Sequence, residues 1–203
     1  MEPSEQGDTE KLIREVLGDT YVHLTVRRVF IEEDLEHLST SITCEVTEDA
    51  TDENSIIAGK GVGVIDAFFN GFVIRFAGDY PSLKTIRFTN FRMGAQIETR
   101  SAFAGTDSKG EVTVDIENSA GKVFRFGHAS RSVISSSIIT ILLALEYFVN
   151  SERAFVSVYE AFQDAKERKR NDLVQHYTSQ MSVLVRNTSY SEVIERLRAH
   201  AHV

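Results

Sequence analysis

The stretch that decides the fold is residues 59–76, which read GKGVGVIDAFFNGFVIRF. Three glycines alternate with other residues at its start, and apolar side chains then recur at the three- and four-residue spacing of a helix. This pattern predicts an amphipathic helix that begins directly after a glycine loop. The helix is expected to end near Gly78-Asp-Tyr-Pro81, because proline disfavours helical geometry in the residue before it. The apolar stripe consists of Ile65, Phe68, Phe69, Phe72, Val73 and Phe76.

Three short strands are predicted before this helix. Residues 21–27 and 41–47 alternate apolar and polar side chains, which is the pattern of strands with one buried face. A third strand is predicted at residues 55–58. Cys44 falls on the apolar face of the second strand, so we interpret it as a core residue and not as a nucleophile. Together these segments form a βββα unit.

The same order of elements recurs in the second half of the chain. Residues 42–46 align with residues 112–116 at an offset of 70, and Gly59 aligns with Gly127 at an offset of 68. This internal repeat predicts a second βββα module. Its helix is apolar over a wider arc than one sheet covers, so we expect it to pack on a second helix or another subunit as well. The predicted elements are strands at 83–91, 111–117 and 122–126, a loop at 127–132 and a helix at 134–149.

We predict an α+β fold of two pseudo-symmetric βββα modules, with helices packed on antiparallel sheets, followed by a helical C-terminal extension. Each module alone would leave one face of a three-stranded sheet half covered, so the two modules are expected to pair. The predicted segments are an acidic N-terminal segment at 1–18, a first module at 19–80, a second module at 81–150 and the helical extension at 151–203.

Length and composition are those of an ordinary soluble protein. The chain has 203 residues, of which 42% are hydrophobic, and a formal charge of −8. Because a negative chain repels a phosphate backbone, we expect no nucleic-acid partner. The apolar run at 138–149 is too short to span a bilayer, so we expect no membrane partner either. A single cysteine and an N-terminus without a signal-peptide pattern favour a cytoplasmic location.

The glycine loop is the strongest chemical signal in the sequence. Glycines allow close backbone approach, and the N–H groups at the positive end of a helix favour an anion such as a carboxylate. Asp66 in the first helical turn adds a negative charge that can pair with an ammonium group. With Ile65 and Phe69 alongside, the loop suits an apolar amino acid. The pattern fits equally well a tight turn in which Asp66 only begins the helix.

Residue patterns for other chemistry are weak. No nucleophile-elbow motif occurs, and the six histidines are scattered. Only His200 and His202 are close together, and we expect no metal there. Serines cluster where the second helix begins, a place where hydroxyl groups usually cap the helix. One hypothesis is a hydrolase or transferase that uses Asp66 and these serines. A non-catalytic protein without a cofactor fits the sequence better. The serines are Ser130, Ser132, Ser135, Ser136 and Ser137.

The segment Gly59-Lys-Gly-Val-Gly-Val-Ile-Asp-Ala resembles the G-x-G-x-G-P-[V/I]-D-A signature of the C-terminal allosteric domain of 2-isopropylmalate synthase and citramalate synthase. The doubled βββα arrangement over residues 20–150 is similar to that domain as well. The resemblance implies a homodimer that binds the end-product amino acid, leucine or isoleucine, between modules at the dimer interface. It places this effector on Gly61, Val62, Gly63, Val64, Ile65 and Asp66, with His128 and Ser132 from the second loop.

Two features differ from that family. Val64 stands where the family usually has proline, and the second module lacks the glycine-rich, aspartate-containing helix start of many members. The family's catalytic barrel needs about 250 residues, so we expect a stand-alone regulatory or small-molecule-binding protein. The alternative is a protein–protein interaction or dimerisation module that has lost the effector site. Such a module would dock a partner, for example a separate synthase subunit, through residues 151–203.

Overall fold

The computed structural model describes residues 3–48, 53–96, 109–187 and 190–201. The helices in these ranges are α1 Pro3–Leu17, α2 Val64–Phe76, α3 Val133–Glu167, α4 Asn171–Leu184 and α5 Ser191–Ala201. The strands are β1 Leu24–Asp34, β2 Ser39–Glu48, β3 Glu53–Gly61, β4 Arg87–Gln96, β5 Lys109–Glu117 and β6 Val123–Ser130. Short 3-10 turns precede β1 and β4, at Gly18–Thr20 and Pro81–Thr85.

Each module contains one three-stranded antiparallel sheet. The strands β1, β2 and β3 form the first sheet and β4, β5 and β6 the second, both in sequence order. Helix α2 packs on β2 and β3, and α3 packs on β5 and β6. This arrangement confirms the predicted α+β fold of two βββα modules with a helical extension.

The two sheets carry the same irregularity at the same place. The β1–β2 pairing shifts by one residue between Val26 and Arg28, and the β4–β5 pairing shifts between Phe88 and Asn90. Bulges of this kind bend a strand and raise its twist. A bulge at the same position in both modules supports their internal pseudo-symmetry.

The strand register corrects one part of the alignment between the modules. Gly59 lies opposite Ile42 and His128 lies opposite Val112, so His128, and not Gly127, is the counterpart of Gly59. The offset at this strand is therefore 69 residues. The first residues of α2 and α3 are separated by the same interval.

Several strand boundaries differ from the predicted ones. The strand predicted to start at residue 83 starts at Arg87, because residues 81–85 form a 3-10 turn with Pro81 in its first turn. The residues 59–61 and 127–130, predicted as loops, extend β3 and β6 because they continue the pairing with β2 and β5. Helices α2 and α3 therefore begin directly after β3 and β6, which are edge strands of the two sheets.

The acidic N-terminal segment, for which the sequence analysis predicts no element, contains helix α1. Ile13 and Leu17 are buried, and α1 packs on α3. Leu12 and Val16 pack against the same core. These four apolar residues repeat at helical spacing, and this periodicity indicates the helix despite the surrounding charge.

Helix α3 runs for 35 residues without a break. The predicted boundary between residues 150 and 151 falls inside it, because neither glycine nor proline interrupts residues 133–167. Besides the second sheet, α3 contacts α1, α2 and α4, as its wide apolar arc predicts. Although the run 138–149 alone is short, α3 as a whole is long and apolar enough to cross a membrane. However, 72% of its most apolar window is buried inside the protein, as in a core helix.

A single hydrophobic core joins the two modules and the extension. Phe69 of α2 contacts Phe88 of β4, with ring centroids 6.1 Å apart. Phe155 of α3 stacks on Tyr190, directly before α5, with ring centroids 4.3 Å apart. The contact between Phe69 and Phe88 holds the start of α2 against the second module.

Candidate functional site

A cavity of about 390 Å³ lies where the start of α2 meets the second module. This volume falls within the usual range of small-molecule pockets, about 300–1,000 Å³. Residues from both modules line the cavity, and most of them are apolar. They are Val62, Gly63, Val64, Ile65 and Asp66 from the first module, and Phe88, Phe91, Met93, Val133, Ile134 and Ser137 from the second.

The first turn of α2 forms part of the wall of this cavity. Gly63 is the N-cap residue and has no side chain that could bond to these groups. The first helical hydrogen bond runs from the Ala67 N–H to the Gly63 carbonyl, at 2.9 Å. The N–H groups of Val64, Ile65 and Asp66 are therefore left without helical partners. Together with the positive end of the helix dipole, they favour an anion at this position.

Asp66 closes the loop before α2. Its Oδ2 accepts a hydrogen bond from the Val62 N–H at 3.1 Å. A carboxylate has about four acceptor positions, so this bond leaves capacity for an ammonium group on the same side chain. The turn-closing role and the ligand-binding role of Asp66 are thus compatible.

Most of the glycine pattern is explained by the contact between β3 and α2. A Cβ atom at Gly59 would overlap the Ala67 carbonyl and lie 2.8 Å from the Cα of Gly71. A Cβ at Gly61 would lie 2.6 Å from the Ala67 nitrogen and 2.5 Å from Oδ2 of Asp66. Gly63 meets no atom within 4 Å and lines the cavity. The first two glycines therefore allow helix and strand to approach, and only the third lines the cavity.

The walls of the cavity are apolar and partly open to solvent. Val62 is 81% exposed and Met93 is 58% exposed. Val133 and Ile134, at the start of α3, are also exposed. The hydroxyl of Ser137 donates to the Val133 carbonyl at 2.8 Å and is thus engaged within its own helix. An apolar side chain of a ligand would be buried against these groups.

The structure separates the two loops that the sequence analysis brings together. Ser132 is the N-cap of α3, and its Oγ accepts from the Ser135 N–H at 3.2 Å. It lines a second cavity, between β1 and α3, and not the cavity at α2. His128 lies within β6, half-buried, and is not among the residues that line either cavity. Because β6 continues to Ser130, His128 belongs to the strand and not to a loop.

The serines at the start of α3 hold backbone groups in place. Ser136 Oγ donates to the Gly110 carbonyl at 2.9 Å and accepts from the Ser130 N–H at 2.8 Å. These bonds fasten the first turn of α3 to β5 and β6. The expected capping role is confirmed at Ser132, whereas Ser136 bonds to the strands and Ser137 to a carbonyl of its own helix.

About half of the residues that line the cavity at the start of α2 are not among the predicted site residues. Phe91 and Met93 alternate along β4 with Arg92, and this period-two pattern indicates a strand with one apolar face. The pattern does not tell which helix that face meets. The contact between β4 and the first module arises only from the pairing of the two modules.

Other candidate groups are occupied or buried. Burial raises the pKa of the Cys44 thiol to about 11, which agrees with its place in the core. Among the described residues, no group of three or more His, Cys, Asp or Glu side chains is arranged to hold a metal ion. His202 lies outside the described residues, and so does the side chain of His200.

Two segments carry several basic residues each, residues 84–92 and 166–170, and members of both form ion pairs. Lys84 pairs with Glu192 at 2.9 Å, and Arg92 pairs with Asp115 at 2.7 Å. In the turn after α3, Arg170 pairs with Asp172 at 2.7 Å. The paired acids reduce the attraction that these segments would exert on a phosphate backbone.

No protein-family model matches the sequence, and no curated protein is significantly similar to it.

Proposed function

We propose that this chain is a non-catalytic regulatory protein that binds a branched-chain amino acid, or a similar carboxylate, in the cavity at the start of α2. The ligand carboxylate lies on the N–H groups of the first turn of α2, and the ammonium group lies on Asp66. The apolar side chain is buried between the two modules, among residues such as Phe91 and Ile134. The proposal also rests on the resemblance to the allosteric domain of 2-isopropylmalate synthase.

One observation carries the proposal. An uncapped helix start, a carboxylate and an apolar wall converge on the same cavity of about 390 Å³. The three kinds of group match the three parts of an apolar amino acid. A cavity lined mainly by apolar groups, with a few polar groups that orient the ligand, is the usual form of a small-molecule site.

Isothermal titration calorimetry with leucine, isoleucine, valine and the corresponding keto acids tests the proposal directly. We expect saturable binding of at least one of the amino acids to the full chain. Absence of heat for all of these ligands at millimolar concentration would remove the proposed binding function.

Asp66→Asn tests the role of the carboxylate. The asparagine Oδ1 can still accept the Val62 N–H, so the loop is preserved while the charge is lost. A hydrogen bond to a charged group contributes about 1.5–3 kcal/mol, so we expect the Kd for the amino acid to rise about tenfold or more. The keto acid with the same side chain has no ammonium group, and its affinity should not fall.

A matched control for this variant is Asp79→Asn. Asp79 is an exposed carboxylate at the opposite end of α2, where it pairs with Arg75. This variant should bind both ligands as the wild type does. Equal losses of amino acid and keto acid in Asp66→Asn would show that the substitution damages the loop and does not remove an ammonium contact.

The proposal includes a homodimer, as the resemblance implies. Exposed apolar residues surround the cavity, among them Val62, Met93 and Ile134, and a second copy would remove them from water. Sedimentation velocity of the full chain measures the assembly state. A monomer at micromolar concentration, with and without leucine, would contradict the dimer.

A second candidate function is an interaction module without an effector. The observation that favours it is that Asp66 already bonds to the Val62 N–H, so the loop is complete without a ligand. Such a module would use the helical extension, where Val185 is 50% exposed after α4. Binding of a synthase subunit that is lost in Val185→Asp, in a protein that binds no amino acid, would select this candidate.

A further inference from the structure

The cavity between β1 and α3 lies away from the start of α2 and is larger than the cavity there. Its volume is about 500 Å³. Apolar side chains form much of its walls. The ionisable groups Glu146 and His23, which contact each other, and Arg27 and Arg28 also line it. The apolar residues are Leu24, Val26 and Val29 from β1 and Ile134, Ile138, Ile139, Leu142 and Leu143 from α3.

Glu146 is an unusual side chain for such a wall, because carboxylates are rarely buried without a cation. Its side chain is only 8% exposed. Oε1 accepts the Leu24 N–H at 2.7 Å, and Oε2 lies 3.2 Å from Nδ1 of His23, which is half exposed. Burial raises the pKa of Glu146, so the surrounding groups compensate its charge incompletely.

The guanidinium groups near this cavity bond to groups other than Glu146, and only the more distant charge of Arg14 acts to lower the pKa of Glu146. Arg27 donates from Nε to Thr47 Oγ1 at 2.8 Å, and Arg28 lies 3.5 Å from Glu45 of β2. Arg14 of α1 bonds to Glu10 of its own helix. None of these three guanidinium groups forms an ion pair with Glu146 among the described residues.

Anchoring of β1 does not by itself explain a charge at this position. Asn150, one turn further along α3, accepts the Val22 N–H and donates to the Val22 carbonyl, both at 2.8 Å. A neutral glutamine at position 146 would accept the Leu24 N–H as well. The carboxylate adds to this arrangement a negative charge at the edge of an apolar cavity.

We propose that the cavity between β1 and α3 binds a small apolar amine, with the ammonium group on the Glu146 carboxylate and the apolar body between the two elements. An ammonium supplies the charge that the buried carboxylate lacks, and each carboxylate oxygen has a further acceptor position. A carboxylate ligand is repelled by Glu146, and an alcohol of the same length forms no ion pair. The site does not depend on the proposed function, because none of the residues at the start of α2 lines it; of the lining residues, Ile134 is common to both cavities.

Three probes of equal length test the proposal: n-hexylamine, 1-hexanol and hexanoate. We expect hexylamine to bind the full chain about tenfold or more tightly than hexanol, since a charged hydrogen bond contributes about 1.5–3 kcal/mol. Hexanoate should bind more weakly than either. Equal affinity for hexylamine and hexanol, measured by calorimetry at neutral pH, would overturn the proposal.

Glu146→Gln tests whether hexylamine binding requires the negative charge of the Glu146 carboxylate. The variant keeps an acceptor for the Leu24 N–H, so hexanol should bind as it does to the wild type while hexylamine loses its advantage. Unchanged hexylamine affinity in this variant would overturn the proposal. Asp66→Asn should bind hexylamine normally, so this site and the proposed amino-acid site can fail separately.

Leu143→Trp tests the location without removing the buried carboxylate. Leu143 lines the cavity and is 40% exposed, so a larger side chain can fill the cavity with little disturbance of the core. Hexylamine and hexanol should both bind less well to this variant. The matched control is Ile74→Trp, at a 76% exposed position of α2 outside the cavity lining, which should leave both affinities unchanged. Equal effects of the two tryptophans would place the bound amine elsewhere.

Discussion

Gly59 lies where β3 and α2 cross, close to Gly71 of the helix. The added Cβ of any other residue would meet the backbone of α2, which cannot rotate away as a side chain can. Strand and helix therefore approach each other through two glycines. The first turn of α2, with its N–H groups and Asp66, reaches the cavity from this fixed position. A packing requirement thus sets the geometry of the candidate site.

We expect Gly59→Ala to lower the free energy of unfolding by about 2 kcal/mol or more, because overpacking against backbone forces α2 to move. Urea denaturation followed by circular dichroism measures the change. Gly78→Ala is the matched control, since a Cβ there meets no atom within 4 Å, and its effect should stay within about 0.5 kcal/mol. Similar stabilities of the two variants would refute the packing role of Gly59.

Helix α3 is the element to which the starts of both modules are fastened. Asn150 accepts the Val22 N–H just before β1, and Glu146 accepts the Leu24 N–H at its start. Two residues after Asn150, Glu152 Oε2 accepts the Ser82 N–H at 2.9 Å, in the turn before β4. Ser151 shares a hydrogen bond of 2.7 Å with the Tyr190 hydroxyl. A short stretch of one helix therefore positions two sheets and the C-terminal helix.

Burial in this stretch predicts a pH dependence at Glu152. Burial raises the pKa of Glu152, so the folded protein holds this proton more tightly than the unfolded chain does. The resulting contribution to the free energy of unfolding is complete below the unfolded carboxyl pKa of about 4.3 and is lost as pH rises through the raised pKa. Glu152→Gln removes this contribution. The variant should therefore gain stability relative to the wild type as pH rises from acid to neutral.

Urea denaturation of both proteins at several pH values between acid and neutral measures this difference. Each unit of pKa shift corresponds to about 1.4 kcal/mol, so the amplitude gives the size of the shift. Glu160→Gln, an exposed position on the same helix, is the control. A difference between Glu152→Gln and the wild type that does not change with pH would contradict the assignment.

At the scale of the whole molecule, the modules and the extension share one core. Buried residues of α1, both sheets, α2, α3 and the C-terminal segment belong to a single hydrophobic cluster. Asn187 is fully buried; its Oδ1 accepts from the Tyr147 hydroxyl at 3.1 Å, and its carbonyl accepts from Asn118 at 2.8 Å. The extension is thus bonded to α3 and to the turn between β5 and β6. Neither module is an independent unit in this arrangement.

We expect the full chain to unfold in one cooperative transition, because unfolding of either module exposes the core of the other. Far-ultraviolet circular dichroism and tyrosine fluorescence should give the same urea midpoint, since Tyr147 and Tyr190 are buried in the shared core. Two separate midpoints would show that the modules are stable on their own.

Much of the fold could be predicted from local patterns. Periodicity identifies both βββα modules, and the stripe from Ile65 to Phe76 faces the core as expected. The exceptions have local causes. Charged residues obscure the apolar stripe of α1, and Pro81 starts a 3-10 turn where a strand is predicted. The continuity of α3 requires only that no residue interrupts the helix.

The candidate site could be predicted only in part. Residues 62–66 line one cavity, as the glycine loop suggests, but His128 and Ser132 lie apart from it. The alignment places the second loop one residue too early, and β6 extends further than predicted. A glycine pattern cannot tell whether the close neighbour is a ligand or a helix. Here Gly59 and Gly61 face a helix, and Gly63 faces the cavity.

The sequence by itself determined the element types, their order and the internal repeat, because side-chain periodicity depends only on neighbouring residues. The tertiary structure decided which elements meet. It places β4 over the start of α2 and β1 beside α3, and these two contacts create the cavities. It also places Glu146, outside every sequence motif, at the edge of one of them. Contacts between distant segments depend on how whole faces fit together, and no local pattern records that fit.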